Sequence, residues 1–322
     1  MTDTRCHPLI ELDRARIREM LLPVLNGAEQ WEVAPVEGGL ANTIYRIRIE
    51  GERRAYALRV YAAGQAAFER ERRLLYALNT KLPVPELLFA DASGLRCAYP
   101  YLVYRWIEGV TLNDCRRQMP PEALPELAKP LGVLLAKLAR VPLEEILDEE
   151  VRASLPALKV ESMLAINDER LRCGLARGRM GSALADELRR QLEARVALLT
   201  ALDSFAHLVH GDFGGRNILV APQRDGDWRI SGLIDWEAAS TGSTLWDVGS
   251  LFRYGRRYSE NFCKDFENGY AEAGGALPWD WRRTARLLDS MRLVEILDGE
   301  RELPVVFAEC LELIEAVISE WA

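Results

Sequence analysis

Leu208-Val209-His210-Gly211-Asp212-Phe213-Gly214-Gly215-Arg216-Asn217-Ile218-Leu219-Val220, continued after a short gap by Leu233-Ile234-Asp235-Trp236-Glu237, is the stretch that decides the fold. His207 to Asp212, Asn217 to Ala221 and Trp228 to Asp235 alternate or run apolar, which predicts strands, with Arg224-Asp225-Gly226-Asp227 as a hairpin turn. Asp212 then stands on a loop, Asn217 at the start of the next strand and Asp235 at the end of the hairpin. Asp and Asn are ordinary turn formers. Here, however, apolar strands deliver three oxygen-bearing side chains to one place, which calls for a chemical reading. Asp212 can accept a hydroxyl proton, and Asn217 and Asp235 can hold Mg²⁺ on phosphates, which is what phosphoryl transfer requires. His210, locked within the loop, is expected to pack and hydrogen-bond and not to act as a base.

Upstream, the first hundred residues read mostly as strands after an opening helical stretch from Ile10 to Leu25. Thr43, Tyr45, Ile47 and Ile49 alternate with Ile44, Arg46, Arg48 and Glu50, the period of a half-exposed antiparallel strand. Glu50-Gly51-Glu52 turns the chain, and Ala55 to Tyr61 returns as a second strand. Gln65 to Leu78 takes a helical period and ends before Leu82-Pro83-Val84-Pro85, because proline cannot continue the hydrogen-bond ladder. Glu86 to Ala90 and Tyr99 to Trp106 complete the strands. Beyond Gly109 the texture is helical: Pro121 to Arg140, Ala183 to Leu202, Trp246 to Tyr254, Glu260 to Ala273, Trp279 to Leu297 and Val305 to Trp321. The expectation is an α+β fold of two lobes: residues 1–108, a small antiparallel-sheet lobe, and 109–322, a larger, mainly helical lobe carrying one β-insert.

Composition agrees with an ordinary globular protein: 322 residues, 49% hydrophobic, 28% charged, net charge −8. No global cationic field exists to attract nucleic acid or anionic lipid, so neither is an expected partner. The six cysteines form no CxxC pair and there are three histidines, too sparse for a zinc site and too dispersed for a disulfide framework. The first 24 residues carry charges among their apolar residues and no apolar run is long enough to span a membrane, so a cytoplasmic location is expected.

His210-Gly211-Asp212-Phe213 through Asn217-Ile218-Leu219, Ile234-Asp235-Trp236-Glu237 and Trp246-Asp247-Val248-Gly249 resemble three motifs of the aminoglycoside phosphotransferase family, bilobal small-molecule kinases related to protein kinases. The resemblance runs from about Trp31 to the C-terminus. It implies a protein-kinase-like fold, ATP or GTP as phosphate donor with Mg²⁺, a small hydroxylated acceptor, Asp212 as catalytic base, and Asn217 and Asp235 as metal ligands. It implies that Asp247 holds the catalytic loop. Glu37-Gly38-Gly39-Leu40-Ala41-Asn42-Thr43 sits where the family has its phosphate-covering loop, which assigns Gly38, Gly39 and Asn42 to the nucleotide. Arg59, in Ala55 to Val60, stands where the family has a lysine on the α/β phosphates, paired with a helix glutamate best matched by Glu71, with Glu69 its neighbouring alternative. Arg can hold phosphate bidentately, but its planar head changes the geometry. Tyr101 to Gly109 matches the hinge that reads adenine through backbone groups, here Arg105 and Ile107, with Ala57 and Leu219 about the base.

The acceptor is expected in the helical lobe, where residues 287–322 hold nine acidic and two basic residues. Glu295 and Asp298, three apart on one helix face, are the candidates for binding a cationic acceptor; several other acids there fall on the polar side of an amphipathic helix. Two other functions are compatible with parts of the sequence. A kinase acting on protein side chains would need a peptide-docking segment, and Asp235 and Asp247 are too close to leave room for one. A nucleotide-binding pseudokinase is conceivable only through Arg59.

Overall fold

The fold is taken from a computed structural model that describes residues 9–25, 27, 29–36, 42–62, 64–118, 124–223 and 227–321. The N-terminal part comprises α1 (Arg14–Leu25), β1 (Trp31–Pro35), β2 (Thr43–Ile49), β3 (Tyr56–Val60), α2 (Gln65–Leu78), β4 (Leu87–Asp91) and β5 (Tyr101–Arg105). Its five strands form one antiparallel sheet in the order β1-β2-β3-β5-β4. β3 is central and buried along its whole length, because both faces of the sheet are covered. Tyr56, Leu58 and Val60 join Ile17, Met20, Leu21 and Leu25 of α1 in one cluster. Ala57 packs on the opposite face with Leu74, Leu75 and Leu78 of α2. The strand period of two places Arg59 on that second face.

The remainder opens with β6 (Val110–Thr111), α3 (Leu112–Gln118) and α4 (Ala128–Ala139). Short helices α5 (Leu143–Ile146) and α6 (Glu149–Ser154) precede α7 (Val160–Cys173), α8 (Leu175–Met180), α9 (Ser182–Glu193) and α10 (Val196–Thr200). Then come β7 (His207–Val209), β8 (Ile218–Pro222), β9 (Trp228–Leu233) and β10 (Ser240–Gly242). Helices α11 (Leu245–Leu251), α12 (Glu260–Glu272), α13 (Trp281–Asp298) and α14 (Pro304–Trp321) close the chain. β8 and β9 are the expected hairpin, flanked by β6, while β7 pairs with β10. Residues 224–226 of the hairpin turn lie outside the described residues. Among the described residues, no helix is long and apolar enough to cross a membrane.

The bilobal α+β expectation is met, with corrections at the elements. The first helix begins at Arg14 and not Ile10: the Asp13 carboxylate accepts the Arg16 amide at 2.7 Å, and Ile10 and Leu12 run along the sheet, donating to Thr43 and Tyr45. β1 was not anticipated; it is an edge strand with only Trp31 fully buried, ending in proline as edges tolerate. α7 was also missed, since only Val160, Asn167 and Leu171 of its fourteen residues are buried and its apolar stripe is weak.

Candidate functional site

Asp212 follows β7 on a loop fixed from several sides. Gly211 takes φ 86°, and a Cβ there would lie 2.1 Å from the Ala238 carbonyl oxygen, so glycine alone fits. The Asp247 carboxylate, in the first turn of α11, accepts the amides of His210 at 2.7 Å and Gly211 at 3.0 Å. Arg292 of α13 donates to the Gly211 carbonyl at 2.6 Å. Burial pushes the Asp247 carboxyl up to about 7, with the two amides pulling the other way. Asp247 thus holds the loop through its backbone, as expected.

His210 is fully buried. Its Nδ1 accepts the Asp212 amide at 3.3 Å and its Nε2 faces the Ile234 carbonyl at 3.0 Å, an arrangement satisfied by the neutral ring protonated on Nε2. Burial lowers its pKa, and the ring lies 4.6 Å from that of Trp236. It braces the loop against the turn that carries Asp235.

The Asp212 side chain points out of this frame. Asn217 Nδ2 donates to its Oδ2 at 2.8 Å and to its backbone carbonyl at 2.9 Å. Oδ1 has a longer contact, 3.4 Å from Ser250 Oγ. The Asn217 carbonyl accepts the Ile234 amide at 3.0 Å, which sets the beginning of β8 beside Asp235. Asp235 has φ 69°, the one non-glycine residue with positive φ among those described. Asp tolerates this left-handed conformation better than most residues, and backbone outliers of this kind cluster at functional sites.

Arg59 reaches across from the sheet and is 3% exposed. Its Nη1 is 3.4 Å from Glu71, and its Nη2 is 2.6 Å from Asp235 and 3.0 Å from Glu237. Burial opposes its charge, but Glu71 and Asp235 outweigh that and keep it protonated. Glu71 is itself buried and receives the Tyr61 hydroxyl at 2.6 Å; burial pushes its carboxyl up to about 7 while Arg59 pulls it down. Glu69 instead pairs with Arg72 and Arg73 on the outer face of α2. Of the two glutamates, the structure brings Glu71 to Arg59.

Asn42 is buried, and its side-chain amide donates to Glu237. Arg70 donates to the Glu237 carbonyl. Gly38 and Gly39 lie outside the described residues. At the hinge, the Arg105 amide is committed to the Glu86 carbonyl at 2.9 Å, so only its carbonyl could face a base. Ile107 lies just beyond β5, packed over Gly232.

Glu295 and Asp298 lie apart from this assembly. Glu295 is 3.4 Å and Asp298 3.5 Å from Arg170 of α7, and Asp298 also accepts the Ala176 amide at the start of α8. The pocket beside Asp212 is lined instead by Asn113, Arg216, Ser250, Arg253, Tyr254 and Tyr258, among others. The sequence reading assigns no role to Glu237, although an acid two residues from Asp235 is signal enough. Arg253, bound bidentately by Asp289 at 2.7 and 2.8 Å, had none: the two residues are 36 apart on different elements.

A five-stranded antiparallel sheet over a helical lobe, with two aspartates and an asparagine at the junction, defines a kinase-like phosphotransferase fold. Residues 32–287 match the phosphotransferase enzyme family, and the chain belongs to it. It is 32% identical over 192 residues to viomycin phosphotransferase of Streptomyces vinaceus, covering 58% of this chain and 61% of the relative. It is 24% identical over 242 residues to hygromycin-B 4-O-kinase of Escherichia coli, covering 69% and 63%. The chain thus spans about three fifths of the length of these curated relatives. Among solved structures, the GDP and kanamycin complex of APH(2")-IIia superposes with a TM-score of 0.69 at 19% identity, covering 96% of this chain and 99% of that one. Aminoglycoside phosphotransferase APH(4)-Ia gives 0.67 at 20% identity, covering 96% and 100%.

Proposed function

We propose that this chain transfers the γ-phosphoryl group of ATP or GTP to a hydroxyl of a small molecule, an aminoglycoside-like compound, amino alcohol or sugar. The observation that carries this reading is the Asp212 carboxylate, held on a rigid loop with one oxygen tied to Asn217 and the other turned toward a pocket. Oδ1, with only the 3.4 Å Ser250 contact, is the oxygen left to take the acceptor's proton. The acceptor oxygen forms a bond to the γ-phosphorus, the bond from that phosphorus to the bridging oxygen breaks, and the nucleoside diphosphate leaves. The relatives, which include antibiotic kinases and structures solved with AMP-PNP or GDP, support a nucleotide donor and a small-molecule acceptor.

Asn217 and Asp235 fit Mg²⁺, which binds through one or two carboxylates with the substrate phosphates and prefers hard oxygen donors. Bound there, the ion would neutralise charge on the phosphates. Arg59, with Glu71 behind it, supplies a fixed cation on the nucleotide side, and Asn42 with the glycines near it would cover the phosphates. The carbonyl of Arg105 and the backbone of Ile107 are left for the base.

Replacing Asp212 by Asn tests the reading. Turnover should fall by about 10²–10⁴-fold, the usual contribution of a general base, while calorimetric titration gives a nucleotide Kd within a few-fold of wild type. Wild-type turnover in the variant would show that the base is assigned wrongly.

A further inference from the structure

The pocket beside Asp212 has an electrostatic character that the acidic net charge of the chain conceals. Three guanidinium groups surround it: Arg216 and Arg253 line it, and Arg257 lies 4.1 Å above the ring of Tyr254, which also lines it. The carboxylates nearby are largely committed. Asp289 is spent on Arg253 in a buried bidentate pair. Glu309 is hydrogen-bonded to the Tyr254 hydroxyl. Asp212 is the base. Arg216 is exposed and, among the described residues, forms no ion pair or hydrogen bond. It stands four residues after Asp212 and immediately before Asn217, so a rigid loop fixes its backbone relative to the base. Glu295 and Asp298, the acids that would have drawn a cationic acceptor, are engaged by Arg170 instead.

Resting on the kinase reading, we propose that the acceptor is a hydroxylated small molecule bearing an oxyanion, a carboxylate or a phosphate ester, and that Arg216 is the residue that selects it. An oxyanion is the group that a guanidinium fork binds best, and a polycation entering this pocket would be repelled by Arg216 and Arg257. Recognition of the anion away from the reacting hydroxyl would also orient that hydroxyl toward Asp212 Oδ1.

The test uses the full chain with Mg·ATP and a matched series: gluconate, glucose and glucosamine, with glycerate, glycerol and 3-amino-1,2-propanediol as a smaller set. Kanamycin and hygromycin B are run beside them. The wild type should prefer the carboxylate in each set. Arg216→Gln should raise KM for the carboxylate by about 10- to 100-fold, the worth of a charge-assisted hydrogen bond, and leave KM for ATP within about twofold, with kcat little changed. Arg216→Glu should shift preference toward the amines, and Arg216→Lys should retain part of the wild-type preference. Preference of the wild type for glucosamine or the antibiotics would overturn the proposal while leaving the kinase reading intact. A rise in KM for ATP in Arg216→Gln would reassign Arg216 to the donor phosphates and equally overturn it. Turnover of no compound overturns both readings, and failure to bind Mg·ATP, read by calorimetry, would show that the fault lies with the kinase reading.

Discussion

Arg59 carries the most consequence of any single residue. A lysine at this place would present one compact charge, whereas the guanidinium fork reaches Glu71, Asp235 and Glu237 together. Removing it leaves the buried Glu71 facing the half-buried Asp235 and Glu237 without a counter-charge. Arg59→Met is therefore expected to lower stability by about 3–5 kcal/mol, measured by urea unfolding. Arg59→Lys should lose less, since it keeps a charge near Glu71. Asp247 makes a pH prediction. Its folded carboxyl lies near 7 against about 3.9 in the unfolded chain, so between those values the folded chain holds the extra proton. Its contribution is then full below about pH 4 and is lost as pH rises through about 7. Asp247→Asn should start lower, having lost one acceptor, and show a flatter change in urea midpoint between pH 5 and pH 8 than the wild type. The identity of Asp212, Asn217 and Asp235 as a group was legible in the sequence because five-residue spacing and one hairpin bring them together. The pairing of Arg59 with Glu71 was legible through the family resemblance, but its pairing with Asp235 and Glu237 was not, because those partners are 176 and 178 residues away and meet it only across the lobes.

At the scale of elements, the helices with broad apolar faces and the alternating strands could be read directly. β2 begins and ends at the residues its alternation predicts, and α2 spans the whole predicted stretch. Short or half-exposed elements such as β1, β6, β10 and α7 lacked enough periodic residues to declare themselves. Packing between helices was hidden as well. Gly132 of α4 and Gly269 of α12 let the two helices cross in close contact: a Cβ at Gly132 would lie 2.0 Å from the Phe266 carbonyl oxygen and one at Gly269 2.2 Å from that of Lys129. Alanine would ordinarily favour a helix over glycine. Gly132→Ala should nonetheless destabilise by about 1–3 kcal/mol through overpacking, visible as a lower Tm in calorimetry. A Tm equal to or above wild type would mean that the crossing is looser than its geometry implies.

At the scale of the molecule, the lobes are not independent bodies joined by a linker. One continuous cluster runs from Leu74, Leu75, Leu78, Leu102 and Tyr104 of the sheet lobe to Phe213, Leu233 and Trp236 beneath the Asp212 loop. The Leu233 amide donates to the Pro83 carbonyl at 2.7 Å, tying the end of β9 to the segment after α2. Residues 1–108 expressed alone would uncover the side of α2 that meets Trp236–Ala238 and leave Arg59 and Glu71 without Asp235. That fragment should fail to give a cooperative thermal transition or dispersed amide resonances; a cooperative transition would show that the α1 side of the sheet suffices.

Sequence alone determined the longer strands and helices, the two-lobe plan and the grouping of Asp212, Asn217 and Asp235, because period and short-range spacing are local properties that survive without a fold. The tertiary structure decided which glutamate faces Arg59, that Glu237 joins it, that Glu295 and Asp298 belong to Arg170, and that arginines border the pocket beside Asp212. Those outcomes depend on side chains from distant segments meeting in three dimensions, where the burial of a charge requires a partner and leaves other charges to water. Net charge, summed along the chain, carries no record of that pairing.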